Sequence, residues 1–296
     1  MPKRLSTEDA LASLSGLREI ASDDELREQL RPLLRHRSNF VIAKAATLAE
    51  ERNLTELAPE LAESFHYFMK DPVKRDPGCS AKLAIVNALS RFHEPDHAVF
   101  LSGIQHRQPE PSFGPPIDTA ATLRALCGRA LLGLGHPDAF RWHALLIADP
   151  EPMTRAMAVE TLGETPDERA ELLLRSKIAR EPYGLDPHVR QSAARDPEPS
   201  VEMDAFDALM KIAPEDSFDF VKRYLHDPDP DRVRAAALAI GASRHEDAFP
   251  MLRDHWLRSK DEIRALLALP IALIRSDDAV TLLFDKLETA SEPLAE

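Results

Sequence analysis

Asp149-Pro150-Glu151-Pro152-Met153-Thr154-Arg155-Ala156-Met157-Ala158-Val159-Glu160-Thr161-Leu162-Gly163 runs from a turn into an alanine-rich helix and closes on glycine. The pattern returns as Asp227-Pro-Asp-Pro-Asp-Arg-Val-Arg234-Ala-Ala-Ala-Leu-Ala-Ile-Gly241, and its opening returns as Asp196-Pro197-Glu198-Pro199. Proline fits the first turn of a helix, where its missing N–H is no loss, and an aspartate beside it can cap free N–H groups. Each Asp-Pro segment therefore marks a helix start, with helical stretches at Thr154 to Gly163, Val201 to Ile212 and Arg232 to Gly241. A short polar turn follows, then a second amphipathic stretch opening near an acidic residue, as at Asp138-Ala139-Phe140, Glu246-Asp247-Ala248-Phe249 and Asp277-Asp278-Ala279-Val280. The unit is a helical hairpin.

Working outward, apolar residues recur at spacings of three and four and no sustained alternation appears, so almost no strand is expected. Basic residues recur in the first helix of the hairpins at Lys44, Lys82, Arg124, Arg155, Arg234 and Arg264, with Glu202 as the exception. The steps of 38, 42, 31, 47, 32 and 30 residues imply a basal unit near 31, with insertions in three of them. Two helices precede the array, the second opening on the capping box Ser22-Asp23-Asp24-Glu25. The expected architecture is all-α: a single α-solenoid over 1–296, with an N-terminal helical cap (1–37), about seven hairpins (38–289) and a tail (290–296).

The two quoted stretches resemble HEAT-repeat proteins, especially the short-repeat subtype related to phycobilisome-lyase-like HEAT repeats, over about residues 38 to 289. That resemblance implies a stacked-hairpin fold. It also implies that the first-helix arginine and the turn aspartate form a structural ladder between neighbouring repeats, which Glu202 would interrupt.

Among 296 residues the hydrophobic share is 44% and the charged share 29%, which fits a soluble globular chain and excludes collagen-like or disordered classes. Net charge is −13, divided as −2 over residues 1–150 and −11 over 151–296. Nucleic acids and membrane surfaces are polyanionic, so this balance opposes binding them with a whole face. The exception is Arg27, Arg31 and Arg35 at four-residue spacing, with Arg37 and Lys44 near, read as a solvated face or an anion patch. Cys79 and Cys127 are too few for a disulfide framework and point to a reducing, cytoplasmic setting. Cys127 reads as a small buried hydrophobe, and Cys79, in a loop after Gly78, as open to exposure. No signal peptide and no run of ~18 apolar residues is present.

Aligning the second helices places Ala98, Phe140, Phe218, Phe249 and Val280 at one position, facing the first helix. Two residues on come Glu60, Phe100, Trp142, Glu171, Phe220, Met251 and Leu282, mostly large and apolar where a solvated face would be polar. In a solenoid the second helices usually line the concave side, so Phe100, Trp142, Phe220, Met251 and Leu282 form either an exposed strip, with Trp142 and Phe220 most open, or packing between neighbouring second helices. Arg223 and Arg253 would rim it, the composition of a protein-binding hot spot. Insertions at Lys70 to Ser80, Gln105 to Asp118 and Ile178 to Ser200 all follow a second helix, so they share one edge, with Phe113 and Tyr183 as anchors or as parts of an inert spacer.

Catalytic chemistry is hard to find. Deoxyhypusine hydroxylases, which are HEAT-like, hold iron with four His-Glu pairs at helix starts. Here only His93-Glu94 and His245-Glu246 occur, in turns, so no metal and no cofactor is expected. The resemblance also admits the alkylpurine DNA glycosylase class, in which Trp142, Arg223 and Asp219 would take the aromatic, basic and acidic roles. The acidic charge opposes that. The function expected is a non-catalytic scaffold or adaptor for a protein partner with a basic or apolar helical segment, bound on the concave surface and the inter-repeat loops.

Overall fold

The computed structural model describes residues 5–179 and 196–289. Among them are seventeen α-helices and one two-stranded antiparallel ribbon. The chain separates into two compact units, Met1–Ala158 and Val159–Glu296.

The first unit opens with α1 (Thr7–Leu17) and α2 (Asp23–Leu33). Ser22 caps α2 by accepting a hydrogen bond from the Glu25 N–H, while the Glu25 carboxylate bonds Gln29, so half of the expected capping box forms. Hairpins follow as α3 (Asn39–Glu51) with α4 (Ala58–Met69), and, after a short helix α5 (Pro72–Arg75), as α6 (Ser80–Arg91) with α7 (Ala98–Gly103). Next come the strands β1 (Pro109–Glu110) and β2 (Ile117–Asp118), then α8 (Ala121–Gly133) with α9 (Ala139–Leu146). α10 (Pro152–Gly163) contains the boundary between the units and pairs in sequence with α11 (Glu168–Ala179). The second unit continues with α12 (Pro199–Ile212), α13 (Pro214–Val221), α14 (Pro230–Ala242), α15 (Ala248–Arg258), α16 (Asp261–Ile274) and α17 (Asp277–Thr289). Among the described residues seven hairpins and a cap result, the arrangement expected from the repeat.

Local chemistry explains the punctuation. The leading aspartate of each Asp-Pro segment accepts the N–H two residues on: Asp149 from Glu151, Asp196 from Glu198 and Asp227 from Asp229, each at 2.9 Å. The helix then begins at the second proline, Pro152, Pro199 or Pro230, about two residues before the alanine-rich run. Five of the first helices end on left-handed residues, namely Asn53, His93, Gly135, Arg244 and Arg275, a conformation that satisfies the last carbonyls and turns the chain back. At the turns His136 and His245 accept the N–H groups of Asp138 and Asp247 through Nδ1, which fixes the start of the next helix.

First helices stack on first helices. α3 packs on α6 and α6 on α8 in the first unit; α12 packs on α14 and α14 on α16 in the second. Close approach selects small residues there. A Cβ at Gly241 would lie 2.9 Å from the carbonyl carbon of Pro270, and one at Gly163 would lie 2.9 Å from the Ala208 Cα. The apolar cores are Leu26, Ile42, Phe65, Phe68, Ile85 and Phe100 in the first unit, and Leu174, Phe206, Leu209, Ile240 and Leu267 in the second.

Two readings of the sequence are corrected here. In three second helices the inward position is the small residue after the aspartate, since Ala139, Ala248 and Ala279 are buried while Phe140 and Phe249 are half-buried and Val280 is exposed; Phe218 is buried as expected, and in α7 Ala98 is exposed while Val99 and Phe100 are buried. In those three the expected phase is one residue late, because helices in close contact select alanine over the bulkier neighbour. Cys79 is not exposed but fully buried, with its Sγ 3.8 Å from the Thr119 hydroxyl.

Candidate protein-binding edge and the ion ladder

Buried ion pairs tie the Asp-Pro turns to the first helices. In the first unit Lys82 Nζ donates to Asp76 at 2.9 Å, with both side chains fully buried. Arg124 bridges two turns: Nη1 donates to Asp118 at 2.7 Å, while Nε and Nη2 clasp Asp149 at 2.9 and 2.8 Å. Arg155 then donates to the carbonyls of Asp149 and Pro150. Burial alone would push the Asp118 carboxyl up, yet hydrogen bonds from the Gln108 and Ala120 N–H groups and from Arg124 hold it below the usual aspartate range. Burial likewise opposes the charge on Arg124, and Asp149 and Asp118 more than offset it, so the guanidinium stays charged.

In the second unit Lys177 pairs with Asp196 at 2.6 Å, both buried. Glu202 does not interrupt the ladder. It accepts from Arg232 Nε at 2.7 Å, and Arg232 also donates to Asp227 and to the Ile178 carbonyl. Polarity is reversed in this rung, and its cation is Arg232 rather than Arg234, which is exposed. Lys44 is exposed as well, and Arg264 pairs with Asp261 of its own helix and donates to the Trp256 and Leu257 carbonyls at the C-terminal end of α15. The ladder expected over seven hairpins thus runs through the middle ones. Such buried pairs specify register more than they add stability.

The first-unit ladder also anchors two insertions. The Glu110 Oε1 at the foot of the β-ribbon accepts from the Gly78 N–H at 2.7 Å, the Gln108 amide at 2.7 Å and the Thr119 hydroxyl at 2.6 Å. The Gln108 amide donates in addition to the Asp76 carbonyl. These donors outweigh the burial that would raise the Glu110 carboxyl and hold it low. At the tip Ser112 Oγ donates to the Pro115 carbonyl and accepts from the Gly114 N–H, and beside that turn Phe113 is fully exposed. Ile117 and Val73 are exposed nearby in the two insertions, with Lys70 and Lys74 also open to solvent. Loops 70–80 and 105–118 share one edge, as expected. Most of the third insertion, Tyr183 included, lies outside the described residues.

The strip expected on the second helices is not an open surface. Phe100 is 0% exposed, and Phe220, expected among the most open, is 9% exposed. Trp142, Met251 and Leu282 are half-buried. Trp142, Phe220, Met251 and Leu282 stand three residues after the inward position, and a residue at i+3 shares the packed face of its helix. Phe220 is held between Arg175 and Arg223, whose guanidinium carbons lie 5.0 and 4.9 Å from its ring centre. Arg223 and Arg253 are exposed, the latter over Phe249.

Other candidates resolve into structure. Asp219, cast as an acid for base excision, is a surface carboxylate paired with Lys222, whose hydrogen bond holds it low. Arg27 is bonded to Asp24 and Glu56, and Arg31 to Glu28 and Glu60, so those cations are neutralised. His245 stacks on Phe218 and meets Glu215 at 3.1 Å. Among the described residues no group of three His, Cys, Asp or Glu side chains could hold a metal, and no helix is long and apolar enough to cross a membrane. Burial drives both thiols up, that of Cys79 to about 11.

Stacked helical hairpins, bound by buried ions and carrying anchored loops on one edge, define a helical-repeat protein. Residues 187–270 match the family model for HEAT repeats, and in fold the chain is a HEAT-repeat protein. No curated protein matches the chain.

Proposed function

We propose that this protein is a non-catalytic scaffold that binds a protein partner through the edge built by loops 70–80 and 105–118, with Phe113 as its anchor. HEAT repeats commonly serve as protein-interaction scaffolds. One observation carries the reading: Phe113 stands wholly in solvent on a loop whose foot is fastened by three hydrogen bonds to Glu110. A solvent-exposed phenylalanine is unfavourable, and holding it beforehand lowers the ordering cost of binding. Ile117 and Val73 extend the apolar contact, and Lys70 and Lys74 give it a basic rim. On the second unit taken by itself, Arg223, Arg253 and the half-buried Met251 and Leu282 are secondary contacts, where the acidic charge of that half would draw a basic partner segment, and on the first unit the half-buried Trp142 is one. A cytoplasmic setting is part of this reading, and the two free, buried cysteines support it.

A photo-crosslinking phenylalanine analogue at position 113, compared with the same analogue at exposed Leu172, tests this in cells that make the protein. A discrete adduct at 113, abolished by Glu110→Ala, is expected. Equal, diffuse labelling at both positions would refute the loop as a binding edge.

A further inference from the structure

Among the described residues His143, in the middle of α9, is the one histidine with no exposed surface. Its Nδ1 lies 2.9 Å from the Ala139 carbonyl, which can only accept, so Nδ1 carries the hydrogen and the neutral ring presents Nε2 as a bare acceptor. Nε2 is buried too and meets no donor among the described residues. The packing leaves no room to bring one in. α9 lies so close to α8 that a Cβ at Gly128 would stand 3.6 Å from the His143 ring and from the Ile104 side chain, and would run into Leu146.

A proton on Nε2 turns that acceptor into a donor and puts a charge in an apolar seat, and neither finds a partner there. On α8, Arg124 is committed to Asp118 and Asp149, Arg129 is at the surface, and burial keeps the Cys127 thiol neutral. On α9 and its leading turn, Arg141 and Asp138 are exposed and the His136 Nδ1 is taken by the Asp138 N–H. α7 has no titratable side chain, while on α10 Arg155 donates to the Asp149 and Pro150 carbonyls and Glu160 is exposed. No charged group among the described residues acts on the ring. Burial, against the smaller effect of the Ala139 bond, holds its pKa below the ordinary 6.5. We propose that His143 is a proton-operated latch: taking up one proton below neutral pH frees α9 from α8 while the rest of the first unit stays folded. α9 is eight residues long, so releasing it alone brings the ring to water at less cost than unfolding the unit. The latch is independent of the Phe113 edge.

The open form takes its proton at the ordinary value of 6.5 and the closed form only at a lower one. The closed form is therefore fully favoured above that value and loses ground as pH falls below it, so that from about pH 7.5 to about 5.5 the open population rises by up to about ten-fold. Amide hydrogen exchange of the full chain, read by mass spectrometry and corrected for the intrinsic pH dependence of exchange, measures this on peptides over 139–147 and over 39–51. In the wild type, exchange of α9 should rise by up to about ten-fold across that range while α3 holds steady. His143→Leu keeps an apolar side chain of similar size and cannot titrate, so its α9 ratio between the two pH values should stay near one, whatever its absolute rate. Should that variant not fold, His143→Gln, equally unable to titrate, gives the same comparison. A wild-type ratio near one overturns the latch. An equal rise in the non-titrating variant overturns it too, and a rise shared by α3 would mean that the whole unit opens and α9 is not released alone.

Discussion

Replacing Arg124 by methionine removes one cation from a rung that contains two carboxylates and keeps nearly the same volume in place. Little cavity is created, so the cost comes from the carboxylates left behind. Breaking a buried pair by deleting one partner costs about 3–5 kcal/mol. Asp118 keeps the Gln108 and Ala120 N–H groups, and Asp149 keeps that of Glu151, with Arg107 already 3.5 Å away. These retained donors set the expected loss at the lower end, about 3 kcal/mol, which for a unit of this size is a fall of about 6–12 °C in melting temperature. Thermal unfolding followed by circular dichroism reads it. The pH dependence has a definite sign. Asp118 has a folded-state pKa depressed below the usual 3.8, so its contribution is present above that value and is lost as pH falls through the folded pKa. The difference between wild type and Arg124→Met should therefore shrink as the pH falls below about 4 and the Asp118 carboxylate protonates. Adding Asp118→Asn and Asp149→Asn to Arg124→Met should recover part of the loss. A loss below about 1 kcal/mol, or the same loss in the double-asparagine background, would show that the rung does not hold the turns.

Four further outcomes follow from the packing. Arg232→Ala should destabilise by about 2–4 kcal/mol because Glu202 loses its partner, while Arg234→Ala should change stability by less than about 0.5 kcal/mol in urea titrations. Gly241→Ala raises helix propensity by about 1 kcal/mol but drives a methyl into the Pro270 carbonyl, so a net loss of about 1–3 kcal/mol is expected, and a gain would refute the close approach of α14 and α16. Phe100→Ala should cost about 3–5 kcal/mol and Trp142→Ala only about 1–2, measured in the same way; equal small losses would return both to the surface. Both thiols should resist alkylation at pH 8 in the native protein and react fully in denaturant, since burial raises that of Cys79 to about 11 and Cys127 is enclosed.

Much of the hairpin array could be read from the chain, because helix starts and stops are local chemistry. An Asp-Pro turn, a glycine close and a three-four apolar rhythm need no distant partner. The second-helix phase was misread because Phe140 and Phe249 outweigh Ala139 and Ala248 in any hydrophobic count, whereas close contact rewards the smaller side chain. The Arg232 rung was misassigned because the motif after Asp227 places its cation five residues on, where Asp118 and Asp149 each have theirs six residues on. The fastening of the β-ribbon left no sequence signal at all. Glu110 meets Gly78 and Thr119 only once two insertions fold against each other, although Phe113 itself stood out as an apolar residue among prolines.

The rung of Arg124 is owned by two hairpins at once, its cation in one and Asp149 at the threshold of the next. Neither hairpin can melt without leaving an unmatched charge in the other. The energy that couples neighbours is thus large relative to what each repeat holds alone, so the middle of the first unit should unfold as one cooperative block, not by fraying repeat by repeat. The repeats are similar in outline and yet not interchangeable: a hairpin excised or inserted at this point would carry away half of a shared bond.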